Sequence, residues 1–268
     1  MERKKITIPD VQDMKARGKK ITMITAYDYP SARLADQAGM DMLLVGDSVG
    51  MVVMGLKDTI PVSMEAMIHH TQAVARGTQY ALVVADLPFL SYQVSREEAV
   101  LNAGRLIKEG GADAVKLEGG RAFRDVVKAM VDAGIPVMGH LGLTPQFAMQ
   151  LGGFKVQGRS EEAAAIILED AKILEEAGAF SVVLECVPAS VGKKVTASLS
   201  IPTIGIGAGP DCDGQVLVYH DVVGLFDRFV PKFVKRYINL SPMILEALKK
   251  YREEVESGVF PSEEHIFK

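Results

Sequence analysis

The sequence has little excess of either charge: 30 Lys and Arg stand against 34 Asp and Glu, a formal net charge of −4. The basic footprint of a nucleic-acid binder is missing, so no nucleic-acid partner is expected. No apolar run approaches the roughly 18 residues of a membrane span, and no membrane association is expected either. The charged start at Arg3-Lys4-Lys5 leads to Pro9 rather than into an apolar stretch, which argues against a secretory signal. Cysteine is scarce. Cys186 and Cys212 lack a metal-type spacing and imply no disulfide framework. No Gly-x-Gly-x-x-Gly opens the first unit, which weakens a dinucleotide-binding reading. No low-complexity linker divides the chain, so residues 1–268 are expected to form a single domain, in the cytoplasm.

What the chain does have is a repeated pattern. An apolar content of 48% allows a substantial core. Leu43-Leu44-Val45-Gly46-Asp47-Ser48 is a continuous apolar run that stops at an acid, as a strand buried on both faces would. Leu82 to Asp86, Ala114 to Glu118 and Val182 to Glu185 repeat it. Eight strands are predicted: Ile21–Ala26, Met42–Gly46, Ala81–Ala85, Ala114–Leu117, Pro136–Gly139, Ser181–Leu184, Thr203–Ile206 and Gln215–Tyr219. Helices between them start at Ser63, Ser95 and Ser160, which are good N-caps, and stop at glycines such as Gly39, Gly77 and Gly134. Eight alternating units argue for an α/β fold of the (β/α)8 TIM-barrel type rather than an open doubly wound sheet. A short N-terminal helix, Asp10 to Arg17, precedes the first strand and is placed to plug the barrel floor. A C-terminal helical tail opens at Ser241-Pro242 and runs to about Val255.

In such a barrel the carboxyl ends of the strands form the catalytic face. There the sequence places Asp47, Ser48, Asp86, Lys116, Glu118, His140, Glu185 and His220. Taken singly, each acid also suits a helix N-cap or a solvated loop. Gathered at one mouth, four carboxylates repel unless protons or a cation compensate them, and a hard divalent ion such as Mg²⁺ is the economical answer. Asp47 and Asp86 suit direct ligation, and Glu118 ligation directly or through water. Lys116 shares a strand face with Glu118, either as its ion pair, or that of a neighbouring acid, or as a cation for a substrate carboxylate. His140 is a donor to substrate or a satisfied structural residue. Glu185 is an acid beyond those a metal needs, as a general base would be. The run Gly205-Ile206-Gly207-Ala208-Gly209 fits a phosphate-binding loop or close packing at the rim. The segments Val49–Thr59 and Leu143–Gly158 have the length and position of lids.

Thr25-Ala26-Tyr27-Asp28, Val45-Gly46-Asp47-Ser48, Ala85-Asp86-Leu87-Pro88-Phe89 and Lys116-Leu117-Glu118-Gly119-Gly120 carry a resemblance that continues to the C-terminal part. Gly139-His140-Leu141-Gly142-Leu143-Thr144-Pro145-Gln146, Leu184-Glu185-Cys186-Val187-Pro188 and Asp213-Gly214-Gln215-Val216-Leu217-Val218 extend it. In these motifs the sequence resembles the ketopantoate hydroxymethyltransferase family. The resemblance implies a (β/α)8 barrel and transfer of a hydroxymethyl group from 5,10-methylenetetrahydrofolate to 3-methyl-2-oxobutanoate. The product is ketopantoate, for pantothenate and coenzyme A synthesis. It also implies a Mg²⁺-stabilised enolate, with Asp47, Asp86 and Glu118 at the metal and Glu185 as the base. Substrate contacts follow at Asp47, Ser48, Asp86, Lys116 and His140, and the assembly would be a homo-oligomer, commonly a decamer.

Two other readings are weighed. A Mg²⁺-dependent C–C lyase of the phosphoenolpyruvate mutase and isocitrate lyase type shares the acid-rich mouth, but calls for a catalytic cysteine loop that Cys186 and Cys212 do not provide. A barrel that only holds a 2-oxo acid would not need Glu185 in addition to the metal acids.

Overall fold

Strands covered on both faces need apolar side chains in an unbroken run, and this chain supplies them at helix-length intervals. The computed structural model describes residues 3–226, 228 and 230–267. Its first half runs α1 (Ile8–Ala16), β1 (Ile21–Thr25), α2 (Tyr29–Gln37), β2 (Met42–Val45), α3 (Val49–Val52), α4 (Met64–Gly77), β3 (Leu82–Asp86), α5 (Arg96–Lys108) and β4 (Ala114–Glu118). The second half continues with α6 (Arg124–Asp132), β5 (Val137–Gly142), α7 (Glu161–Glu176), β6 (Ser181–Glu185), α8 (Ala189–Ser198), β7 (Thr203–Ile206) and β8 (Gly214–Leu217). The eight strands close a parallel barrel in chain order, with β8 returning to β1. This is the expected α/β barrel. Residues 1–218 form one compact unit, which holds the barrel. Residues 219–268 form a second, with α9 (Tyr219–Val223) and α10 (Leu240–Glu256).

The serines read as helix starts do cap. Ser63, Ser95 and Ser160 each accept, through Oγ, the N–H three residues on, at 3.1–3.2 Å. Inside the barrel, alternate residues including Met23, Leu44, Val84, Met138, Val183 and Ile204 form one buried cluster. Val11 and Met14 of α1 join it, so this helix closes the floor. Three acids secure that floor. Asp41, Asp113 and Asp213 accept the N–H of Thr22, Val83 and Thr203 at 2.8–2.9 Å. Each also pairs with a lysine of the N-terminal segment: Lys19, Lys5 and Lys15 respectively.

Two strand ends differ from expectation by more than one residue. β5 continues through His140 to Gly142, because His140 still pairs with Glu118 on one side and Val183 on the other. β8 stops at Leu217 instead of Tyr219. β1 offers it a last partner in Ile24 and β7 in Gly205, so Val218 and Tyr219 have no ladder to join. Tyr219 and His220 instead start α9, and His220 belongs to the second unit rather than to a strand end.

Candidate active site

Register decides which polar side chains meet. Paired residues of neighbouring parallel strands share a face, and the pairing is Asp86↔Lys116 and Glu118↔His140, with Gly142↔Glu185 beyond them. All four residues of the first two pairs are at least 96% buried, each at or near the carboxyl end of its strand. Asp47, one residue beyond Gly46 after β2, is equally buried, and its N–H donates to Asp86 Oδ2 at 3.1 Å.

The contacts form one chain. Lys116 Nζ lies 3.1 Å from Asp86 Oδ1 and 3.3 Å from His140 Nδ1. His140 Nδ1 is 3.5 Å from Glu118 Oε1, and its Nε2 is 3.2 Å from Glu185 Oε2. Asp47, Asp86, Lys116, Glu118, His140 and Glu185 are therefore brought together. Ser48 stands beside them, sharing a 2.8 Å hydrogen bond with the Tyr27 hydroxyl. Lys116 pairs with Asp86 rather than Glu118, because Asp86 is its partner in the register.

Burial dominates the electrostatics. It pushes the Asp47 carboxyl well above its usual range, and the neighbouring charges of Asp86 and Glu118 push the same way. Burial raises Asp86 too, although Lys116 opposes it. Burial works against the Lys116 charge, but Asp86, Glu118 and Asp47 outweigh it and hold the ammonium. For His140, burial and Lys116 disfavour the proton while Glu118 and Glu185 favour it, and the balance brings it up to about 9.

Each of the three inner acids has one oxygen engaged by a protein donor. Asp86 Oδ2 takes the Asp47 N–H, Asp47 Oδ2 the Gln146 amide, and Glu118 Oε2 the Gln146 N–H. Asp86 Oδ1 is buried without hydrogen-bond geometry, even to Lys116. Among the described residues, no three His, Cys, Asp or Glu side chains are already gathered closely enough to enclose a metal ion. The donor chemistry nonetheless fits a hard divalent cation: carboxylate oxygens only, one of them, Asp86 Oδ1, buried without a hydrogen bond, and two of the acids, Asp47 and Asp86, driven toward neutrality by burial. Such an ion is commonly held by one or two carboxylates, with water and substrate completing its shell.

Gln146, Tyr92 and Tyr27 are the contributors that sequence reasoning did not single out. Gln146 lies in a turn of 3-10 helix, Pro145–Phe147, inside the segment read as a lid. Tyr92 is fully buried, packs edge-on against Phe123 at 5.1 Å and donates to Gln146 Oε1 at 2.8 Å. The only signal was the aromatic and amide residues next to strand-end motifs. At the glycine run after β7, a Cβ on Gly209 would sit 2.5 Å from Ala189 Cβ, which supports close packing of α8.

The whole barrel matches known proteins. The chain matches the ketopantoate hydroxymethyltransferase family over residues 5–263. It is 67% identical over 267 residues to the 3-methyl-2-oxobutanoate hydroxymethyltransferase of Moorella thermoacetica, covering 100% of this chain and 99% of that one. The enzyme of that name from Syntrophus aciditrophicus is 62% identical over 264 residues, with 98% and 97% covered. Among solved structures, 2,3-dimethylmalate lyase, a PEP mutase/isocitrate lyase superfamily member, superposes with a TM-score of 0.60 at 15% identity. That match covers 97% of this chain and 91% of the lyase, and at such identity it speaks for the fold alone. The barrel is thus shared with the lyases, whereas identity over the full length is shared with the transferases. The chain belongs to the ketopantoate hydroxymethyltransferase family.

Proposed function

We propose that this chain is a 3-methyl-2-oxobutanoate hydroxymethyltransferase, which makes ketopantoate for pantothenate synthesis with 5,10-methylenetetrahydrofolate as one-carbon donor. One observation carries the division of labour at the site. Glu185 stands apart from the acid cluster, across His140, and its side chain is 17% exposed against 2–5% for Asp86, Lys116, Glu118 and His140. An acid with access to substrate, and outside the group that a cation would engage, suits proton transfer.

Asp47 and Asp86, with Glu118 directly or through water, would hold Mg²⁺. When bound, the ion supplies Lewis-acid polarisation of a 2-oxo acid's carbonyl. Lys116, kept cationic by its acids, attracts the substrate carboxylate. Ser48 lies beside Asp47, where it would donate to that carboxylate. Glu185 takes the C3 proton; the C3 electron pair bonds to the folate methylene carbon as one of its C–N bonds breaks, and water supplies the hydroxyl as the second C–N bond breaks and tetrahydrofolate leaves with the protons. His140 faces Glu185 through Nε2 at 3.2 Å without hydrogen-bond geometry, which leaves that N–H to donate to substrate.

The test is proton NMR of 3-methyl-2-oxobutanoate in D₂O with the protein and Mg²⁺. Loss of the C3 proton signal, arrested by EDTA, is expected. Absence of exchange, together with absence of product when methylenetetrahydrofolate is added, would overturn the reading in favour of a lyase or a binding protein.

A homo-oligomer, a decamer by the family resemblance, is part of this proposal. Along α10 the side chains of Ile244, Leu248, Tyr251 and Val255 recur at helical spacing and are 44–60% exposed, a stripe suited to a second copy. Light scattering of the eluted protein measures the assembly directly. Cys186 and Cys212 are free thiols, which accords with a reducing cytoplasm. Among the described residues, no helix is long and apolar enough to cross a membrane.

A further inference from the structure

Gln146 reaches the site from the loop after β5, yet it touches the acids at the ends of β2 and β4. Its carboxamide has a forced orientation. Nε2 faces the Leu87 carbonyl oxygen at 2.9 Å, and a carbonyl only accepts, so the nitrogen must lie on that side. The second amide hydrogen then goes to Asp47 Oδ2 at 2.8 Å. On the other side, Oε1 accepts from the Tyr92 hydroxyl at 2.8 Å and from Gln93 Nε2 at 3.2 Å. The Gln146 backbone N–H donates to Glu118 Oε2 at 2.9 Å. One residue, 95% buried, thus clamps one oxygen of each of two carboxylates that come from different strands.

We infer that Gln146 is a positioning residue: it sets the rotamers of Asp47 and Glu118 so that their remaining oxygens are presented together to a divalent cation. This rests on the reading of Asp47, Asp86 and Glu118 as the cation-binding acids. Alone, two buried carboxylates turn away from each other or take up a proton. With a donor fixed to one oxygen of each, the cost of orienting them is met by the fold, before the cation arrives. Donors that orient first ligands in this manner carry about 10–100-fold in metal affinity.

The experiment measures Mn²⁺ binding by electron paramagnetic resonance, with Mg²⁺ as competitor, in the intact protein and in Gln146→Leu and Gln146→Met. Both substitutions remove the amide donor to Asp47 without adding a charge. Both are expected to weaken Mn²⁺ by about tenfold or more, with circular dichroism and melting temperature confirming the fold. Tyr92→Phe, which loosens the amide without touching either acid side chain, is expected to weaken Mn²⁺ less, and to add little in the Gln146→Met background. A residue that only packs the loop would give additive losses of stability and leave affinity unmoved. Unchanged Mn²⁺ affinity in folded Gln146→Leu and Gln146→Met overturns the role of Gln146 alone. No Mn²⁺ binding by the unaltered protein overturns the cation reading, and this inference with it.

Discussion

At the scale of single residues, the tasks proposed for Glu185 and Lys116 are separable. Glu185→Gln removes the proposed base while its amide still faces His140. The exchange rate of the C3 proton should drop about 10²–10⁴-fold, with little change in oxo-acid affinity. Lost affinity with exchange retained would contradict the assignment. Lys116→Met removes the buried cation that would share Asp86 with the proposed metal ion. The KM for the oxo acid should rise about tenfold or more, while divalent-cation binding holds or tightens, because a competing positive charge has left the cluster. Equal loss of both would assign Lys116 a structural part only. The strand-end acids were legible in sequence because four apolar runs each stop at an acid, and in a parallel barrel those ends share one mouth. Gln146 was not, because its partners lie at residues 47, 87, 92 and 118, and no local pattern records such a reach.

At the scale of elements, the junction of β5 and β6 is the most demanding. Gly142 has φ of +91°, and a Cβ there would lie 2.2 Å from the Glu185 carbonyl oxygen and 2.7 Å from Val187. Gly142→Ala should cost about 2 kcal/mol in backbone strain alone, and lower kcat further by displacing Glu185. Gly134, at φ of +82° with nothing within 4 Å, is the control: Gly134→Ala should lower the melting temperature and leave kcat intact. Equal kcat in the two variants would remove the argument from crowding. Elements were read well where helix caps and apolar runs coincide, as at Ser95 and Ser160. The overrun of β8 has a physical cause. Val218 and Tyr219 have the composition of a strand, but a strand ends where its neighbours stop pairing. The floor acids Asp41, Asp113 and Asp213 were passed over for a similar reason: their partners are N–H groups of neighbouring strands, not residues nearby in sequence.

At the scale of the whole molecule, the buried acids and His140 make stability depend on pH. A carboxyl raised by burial, such as Asp47 or Asp86, binds its proton more tightly in the folded chain than in the unfolded one. Stability therefore falls as pH rises from the ordinary carboxyl range. His140, raised from 6.5 to about 9, acts in the same direction. Its contribution is complete below about 6.5 and is lost as pH passes through about 9, a change on the order of 3 kcal/mol. With EDTA present, denaturation midpoints should fall between pH 6 and about 9, since few other groups titrate there. Mg²⁺ should raise them most at the alkaline end, where it stands in for absent protons. A midpoint that climbs across this window would show that His140 is neutral in the fold.

Pairing in chain order also partitions the chemistry along the polypeptide. A cut at Gly134, between β4 and β5, would leave Asp47, Asp86, Lys116 and Glu118 on one fragment and His140, Gln146 and Glu185 on the other. The first would inherit the acids proposed to hold the cation, the second the proposed base and its histidine, and neither fragment holds all eight strands. Two seams hold the halves together, β4 against β5 and β8 against β1, and only the first carries the Lys116–His140 and Glu118–His140 contacts. Complementation by two fragments would thus test the β4–β5 seam, where the Lys116–His140 and Glu118–His140 contacts have to form again.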